Sequence, residues 1–211
     1  MTSAFGSSTV GEPGERPFRM LIAGVGGQGT LTLAQIAMEV ARRAGYFALQ
    51  SEIHGMSQRG GAVHACLTIA PFPISTPVIM EGTGDLLVAL EPLEALRYVP
   101  LLRRDAPMLV ARDPVKTVAE YPPEAQLFSA LAAIPGCEIV ETESATRTFR
   151  FTQAAGMVLL GRTVTRLPFV RSLWEEVLTE RLATKGKDTV HKNLRAFAHG
   201  VGAGADHPSP P

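Results

Sequence analysis

From Ser51 to Gly61 the chain reads Ser-Glu-Ile-His-Gly-Met-Ser-Gln-Arg-Gly-Gly. This short run gathers a carboxylate (Glu52), an imidazole (His54), a thioether (Met56), a hydroxyl and an amide (Ser57, Gln58), a guanidinium (Arg59) and three glycines (Gly55, Gly60, Gly61). A surface turn needs only glycine or asparagine, and a core strand needs apolar side chains. The mixture therefore points to a surface that meets a ligand or another chain. The planar fork of Arg59 suits paired hydrogen bonds to a carboxylate or phosphate. His54 can move a proton near neutral pH, and Gly60 and Gly61 allow a backbone to come close. A plainer reading also fits: a polar connection between strands, with Arg59 paired to Glu52.

A second run, Gly24-Val25-Gly26-Gly27-Gln28-Gly29-Thr30, follows a short apolar segment. Gly24, Gly26 and Gly29 have the spacing of a dinucleotide-binding turn, in which glycines permit a tight bend and the next helix offers free N–H groups to an anion. Glu52 follows Gly29 by 23 residues, close to where an acid would hold a ribose hydroxyl. Three readings stay open for the turn: NAD or FAD, another phosphate-bearing ligand, or a turn that packs on a neighbour without any nucleotide.

These runs need elements to position them. Residues 19–24 read as a buried first strand, and apolar residues at helical spacing from Leu31 to Ala44 read as a helix stopped by Gly45. Strands are expected at 46–51, 62–69, 85–90, 107–111 and 138–141, with helices at 93–99 and 124–133 and only helical patterns from 153 to 200. Strands alternating with helices imply an α/β fold, a Rossmann-like open, mostly parallel sheet with helices on both faces and extra C-terminal helices. Residues 1–17 and 201–211, rich in glycine, proline and small polar residues, read as disordered tails around a single domain spanning 18–200.

Composition narrows the functional classes. Twenty Lys and Arg balance twenty Asp and Glu, so the basic excess of a nucleic-acid binder is missing. No apolar run approaches the ~20 residues that span a bilayer, and residues 1–17 lack the apolar stretch of a signal peptide. The cytoplasm is the expected location. Cys66 and Cys137 form no CxxC pair, so no zinc or iron–sulfur cluster is expected on this chain alone, and both read as reduced, buried thiols. His64 reads as a structural strand residue, Cys66 and Trp174 as core, and Lys185-Gly186-Lys187 as a solvated turn. Lys192 and Arg195 read as solvent-facing or helix C-terminal residues.

Taken together, Gly24–Gly29, Ser51–Gly61, the Asp85-Leu-Leu-Val-Ala-Leu-Glu-Pro-Leu-Glu-Ala-Leu-Arg97 run and His191–Gly200 resemble the gamma-type component of 2-oxoacid:ferredoxin oxidoreductases, in its indolepyruvate branch. The resemblance covers residues 18 to 200. It implies a share in a larger reaction, in which an arylpyruvate is decarboxylated on thiamine diphosphate, electrons leave through [4Fe-4S] clusters to ferredoxin, and the acyl group passes to coenzyme A. This chain has neither a thiamine signature nor a cysteine ladder. The resemblance therefore puts thiamine diphosphate, Mg and the clusters on a large partner subunit and makes this chain inactive alone. On that reading His54 and Arg59 carry the catalytic roles. Gly24, Gly26, Gly27, Gln28, Gly29, Thr30, Glu52, Gly55, Met56, Ser57, Gln58, Gly60 and Gly61 line the approach to the cofactor. Other classes fit parts of the pattern: a related complex with another 2-oxoacid, a stand-alone NAD-binding oxidoreductase, or a purely structural adaptor.

Overall fold

A computed structural model of the chain describes residues 16–54, 60–116 and 120–205. Six strands, β1 (Phe18–Val25), β2 (Phe47–His54), β3 (Ala62–Ala70), β4 (Leu86–Ala89), β5 (Met108–Ala111) and β6 (Cys137–Val140), form one sheet in the order β2-β3-β1-β4-β5-β6. The pairs β1–β4, β4–β5 and β5–β6 are parallel. β3 runs antiparallel to both β1 and β2. The helices are α1 (Thr30–Arg43), α2 (Pro92–Tyr98), α3 (Glu124–Ala132), α4 (Glu143–Phe149), α5 (Ala154–Thr163), α6 (Arg171–Leu182) and α7 (Lys187–Ala205).

The period-two alternation of strand side chains builds two cores. Met20, Ile22, Leu67, Val88 and Leu109 face α1, α5, α6 and α7, where Trp174 and Phe197 are fully buried. Leu21, Ala23, Cys66, Leu87 and Met108 face α2 and α3. β4 and β5 are buried along their whole length, as the continuous apolar runs that mark them require. The C-terminal helices thus dock on the α1 side of the same sheet. Among the described residues no helix is long and apolar enough to cross a membrane.

Several expectations need correction. β2 continues to His54, past the expected end of the strand, so His54 lies on a strand rather than in a loop. The helix α4 carries no sequence signal beyond Ala145 and Phe149, four residues apart, and its threonines favour other conformations. α7 runs to Ala205, past Gly200 and into the expected tail. Lys192 and Arg195 accordingly sit in its first half, not near its C-terminal end. Cys66 is buried, but Cys137 is only partly so. Residues 1–15 and 206–211 of the expected tails lie outside the described residues.

α5 and α7 cross at two glycines. A Cβ at Gly161 would collide with the Phe197 carbonyl oxygen, and one at Gly200 with the Val158 carbonyl oxygen. Both obstacles are backbone, so neither helix can yield by changing a rotamer. Gly161→Ala and Gly200→Ala should each destabilise the fold by at least the ~1–3 kcal/mol of an overpacked core, measured by urea denaturation. Gly202→Ala, which meets nothing within 4 Å, should not.

Candidate functional site

In this sheet β1 leads through α1 toward one edge and β4 leads through α2 toward the other. The crevice between the C-terminal ends of β1 and β4 is therefore the topological switch point, where open α/β sheets bind ligands. The glycine turn lies there, but the chain's own side chain occupies the gap. The Gln28 carboxamide accepts from Val25 N at 2.8 Å and donates through Nε2 to Leu90 O at 2.9 Å, tying β1 to β4. A Cβ on Gly24 would stand 2.7 Å from Gln28 Oε1 and 3.0 Å from Thr30 Oγ1. Gly24 thus makes room for a glutamine of the same chain. Gly29 supplies the left-handed backbone (φ 90°) that starts α1. Thr30 is 2 % exposed and its hydroxyl has no hydrogen-bond partner among the described residues, so this side chain is packed inward.

The outer side of the turn holds the hairpin. Gly26 N donates to Gly61 O at 2.9 Å and Gly60 N to Gly26 O at 3.5 Å. The two glycine runs, more than thirty residues apart in sequence, therefore share one backbone ridge on the C-terminal edge of β1. Gly60 has φ 72°, which glycine adopts without strain. Of the residues the sequence singled out, Gly55, Met56, Ser57, Gln58 and Arg59 lie outside the described residues. His54 ends β2 opposite Val63.

Glu52 does not fill the position of a ribose acid. β3 is inserted between β1 and β2, leaving Glu52 two strands from β1, roughly 10 Å away at normal strand spacing. It is exposed and accepts from Gln50 Nε2 at 2.6 Å. His64, read from the sequence as a structural strand residue, places Nδ1 2.8 Å from the Tyr98 hydroxyl. Burial depresses the His64 pKa and pushes Tyr98 up to about 12.

Two features were not foreseen. Glu91, 1 % exposed, lies two residues after β4; its carboxylate caps α2 by accepting from Glu94 N at 2.8 Å and also accepts from the Tyr121 hydroxyl at 2.5 Å. Burial raises its pKa, and the Tyr121 hydrogen bond opposes that rise. The Glu-Pro signal at a helix start was visible in the sequence, but not the burial. The second feature is a cleft of about 240 Å³ on the α1 side, lined by Gln28, Gly29 and Thr32 together with Gln153 and residues of α7 that include Lys192. Lys185, expected in a solvated turn, also lines it. Among the described residues no group of three His, Cys, Asp or Glu could hold a metal ion. Cys66 on β3 and Cys137 on β6 lie at opposite parts of the sheet, an arrangement that does not fit a shared cluster.

The raised pKa of Glu91 makes a signed prediction. A carboxylic acid held above its unfolded value favours the fold while protonated and costs stability as pH rises through the folded pKa. Against Glu91→Gln, the wild type should lose relative unfolding free energy as pH climbs above the ordinary carboxylate range toward the raised folded pKa. A pH-independent difference would show that the carboxylate is not the cause.

Residues 19–203 match the pyruvate ferredoxin/flavodoxin oxidoreductase family. The chain is 32% identical over 197 residues to the indolepyruvate oxidoreductase subunit IorB of Archaeoglobus fulgidus, covering 86% of this chain and 92% of that one. It is 30% identical over 183 residues to the 2-oxoglutarate synthase subunit KorC of Methanothermobacter thermautotrophicus, covering 85% and 90%. Its fold is similar to part of the 2-oxoglutarate:ferredoxin oxidoreductase of Magnetococcus marinus, solved with 2-oxoglutarate, coenzyme A and succinyl-CoA (TM-score 0.73, 16% identity). That match covers 93% of this chain but about a third (32%) of the longer one. With a family match over most of its length and a relative of this similarity, the chain belongs to the pyruvate ferredoxin/flavodoxin oxidoreductase family.

Proposed function

We propose that this chain is the small subunit of a 2-oxoacid:ferredoxin oxidoreductase acting on an arylpyruvate, indolepyruvate in particular, and forming the arylacetyl-CoA. A large partner subunit holds thiamine diphosphate with Mg and the [4Fe-4S] clusters, and ferredoxin takes the electrons through it. Thiamine diphosphate supplies the electron sink for decarboxylation; this chain supplies a surface. Alone, in the cytoplasm, it is inactive. The observation that carries this reading is the ridge formed by Gly26, Gly60 and Gly61, which ties the glycine turn to the base of the hairpin bearing His54 and Arg59.

Two further features support a subunit role. The switch crevice is filled by Gln28, which argues against a free-standing NAD enzyme. β2 is an edge strand whose Phe47, Leu49 and Ile53 are exposed, with Ile53 58 % exposed close to the hairpin, an apolar edge of the kind partner chains cover. On this reading Arg59 grips a carboxylate or phosphate at the subunit boundary, His54 donates or moves a proton, and Met56, Ser57 and Gln58 line the approach with the glycines. A 2-oxoglutarate substrate is the second reading, favoured by the similarity to the 2-oxoglutarate synthase subunit.

Co-expression with the large subunit and assay against three oxoacids decides between them. Indolepyruvate should be oxidised with a higher kcat/KM than pyruvate or 2-oxoglutarate; the reverse order would overturn the substrate assignment. Loss of a charged hydrogen bond worth about 1.5–3 kcal/mol predicts that Arg59→Ala lowers kcat/KM roughly ten- to hundredfold in an intact complex. Unchanged kinetics would remove Arg59 from the site. The isolated chain should take up no NAD at micromolar concentration.

A further inference from the structure

The two edges of the sheet are built differently. β6, at one edge, has four residues and carries Glu138. β2, at the other, has eight residues and pairs with β3 position by position, without a bulge. Edge strands that stay unpaired are shortened, bulged, broken by proline or loaded with charge, because their outer N–H and C=O groups template another strand. β2 has no proline, and its one carboxylate is Glu52. It is an edge left ready for pairing.

One face of this edge is apolar. Phe47, Leu49 and Ile53 stand opposite Ala70, Thr68 and His64, so they point to the face that Cys66 shares with α2 and α3. The helices of that face pack over β1, β4, β5 and β6, and β2 lies beyond them. Seven large apolar side chains are exposed among the described residues. Three of them are on β2, and two, Val78 and Met80, flank the buried Ile79 in the segment that crosses β3 on the same face, where the Thr68 hydroxyl donates to Pro77 O at 3.4 Å. Concentration of exposed apolar residues along one open edge marks a surface that another chain covers.

We infer that β2 pairs antiparallel with β2 of a second copy of this chain, across a two-fold axis at Gln50, and joins the two sheets into one. The strand is self-complementary in that register. Phe47 lies opposite Ile53, an aromatic–aliphatic pair of the kind that stabilises sheets, and the two-fold axis makes the pair twice. Glu52 lies opposite Ala48. Ala48 lines a recess of about 260 Å³ along the same edge, together with Arg42 and Ile74. The exposed Glu52 of each copy is thereby brought to the exposed Arg42 of the other, two opposite-charge pairs from one axis. The two Glu52 residues stay four positions apart along the strands, roughly 13 Å. Moving the axis to Ser51 would halve that separation and carry Phe47 past the end of the paired strand. With the axis at Gln50, the two His54 residues end roughly 26 Å apart at opposite edges of the joined sheet. Each glycine ridge is then turned away from the axis and left open.

The pairing goes beyond the proposed subunit role, and its test is separate. Sedimentation equilibrium of the full chain, from about 1 to about 100 µM, should give twice the 22.5 kDa of one copy, with a Kd below about 10 µM. Arg42→Glu and Glu52→Arg, both at exposed positions, should each weaken the dimer roughly fivefold or more. The double variant exchanges the signs and should recover it. Gln50→Cys should form an intermolecular disulfide under mild oxidation, above the wild-type background of Cys66 and Cys137, because paired Cα atoms of antiparallel strands stand about 4.5–5.5 Å apart. Glu52→Cys should not. A monomer at about 100 µM, a dimer indifferent to both charge reversals, or a cross-link through Glu52→Cys and not through Gln50→Cys would overturn the pairing. Assembly and turnover with the large subunit are measured apart from this. A monomer that still builds an active complex would sink the pairing and leave the subunit role standing.

Discussion

A doubly wound sheet opens a gap where consecutive crossovers part to opposite sides, and something polar must answer the backbone groups exposed there. In this chain one carboxamide does so. Gln28 accepts a hydrogen bond from the Val25 N–H and donates one to the Leu90 carbonyl, so the glycine turn is fixed to the end of β4. Each buried hydrogen bond is worth about 1 kcal/mol, but leaving both backbone groups unpaired would cost more. The neighbouring geometry follows from this bridge. A Cβ at Gly24 would stand 2.7 Å from the amide oxygen, so glycine there leaves the bridge undisturbed. With Leu90 held, Glu91 turns inward to cap α2 and meet Tyr121. With the turn held, Gly26 presents N–H and C=O outward to Gly61 and Gly60.

The inserted hairpin turns a nucleotide-type scaffold to another use. β3 runs antiparallel between β1 and β2, yet β2 keeps the direction of β1, so the β2–β3 connection emerges on the same edge as the glycine turn. The insertion carries Glu52 away from the turn and brings Gly60 and Gly61 to it. An acid that sequence spacing placed near a ribose ends on an exposed strand beside Gln50. The spacing was right, and the strand order gave it a different meaning.

That contrast shows which features were legible. The core strands and α1 were readable because continuous or 3.6-periodic apolar runs report burial directly, and Trp174 fell in the core for the same reason. Gly24, Gly26 and Gly29 were readable as a strand-to-helix turn, but a glycine pattern records only that something comes close. It does not say whether that is a pyrophosphate or Gln28. The cleft beside α1 was illegible because its walls come from residues near 30, 153 and 190, joined only by tertiary packing. Lys185 and Lys192, each an ordinary surface lysine in the sequence, acquire a common direction only when α7 docks through Gly200 against α5.

The chemistry left to this chain follows from how its ionisable groups are used. Along the described C-terminal edge, Glu91 is buried and doubly hydrogen-bonded, His64 is spent on Tyr98, and Glu52 is held by Gln50. None of these three presents an unengaged acid or base to a reacting atom. What the edge offers is backbone at close range and fixed dipoles, which cost no reorganisation when charge develops nearby. On the proposed reading, the chain contributes to catalysis by shaping and polarising a site whose electron-carrying groups lie on a partner. On the same reading, any proton this chain moves is assigned to His54 at the end of β2, beside the connection that Gly60 and Gly61 hold to the glycine turn.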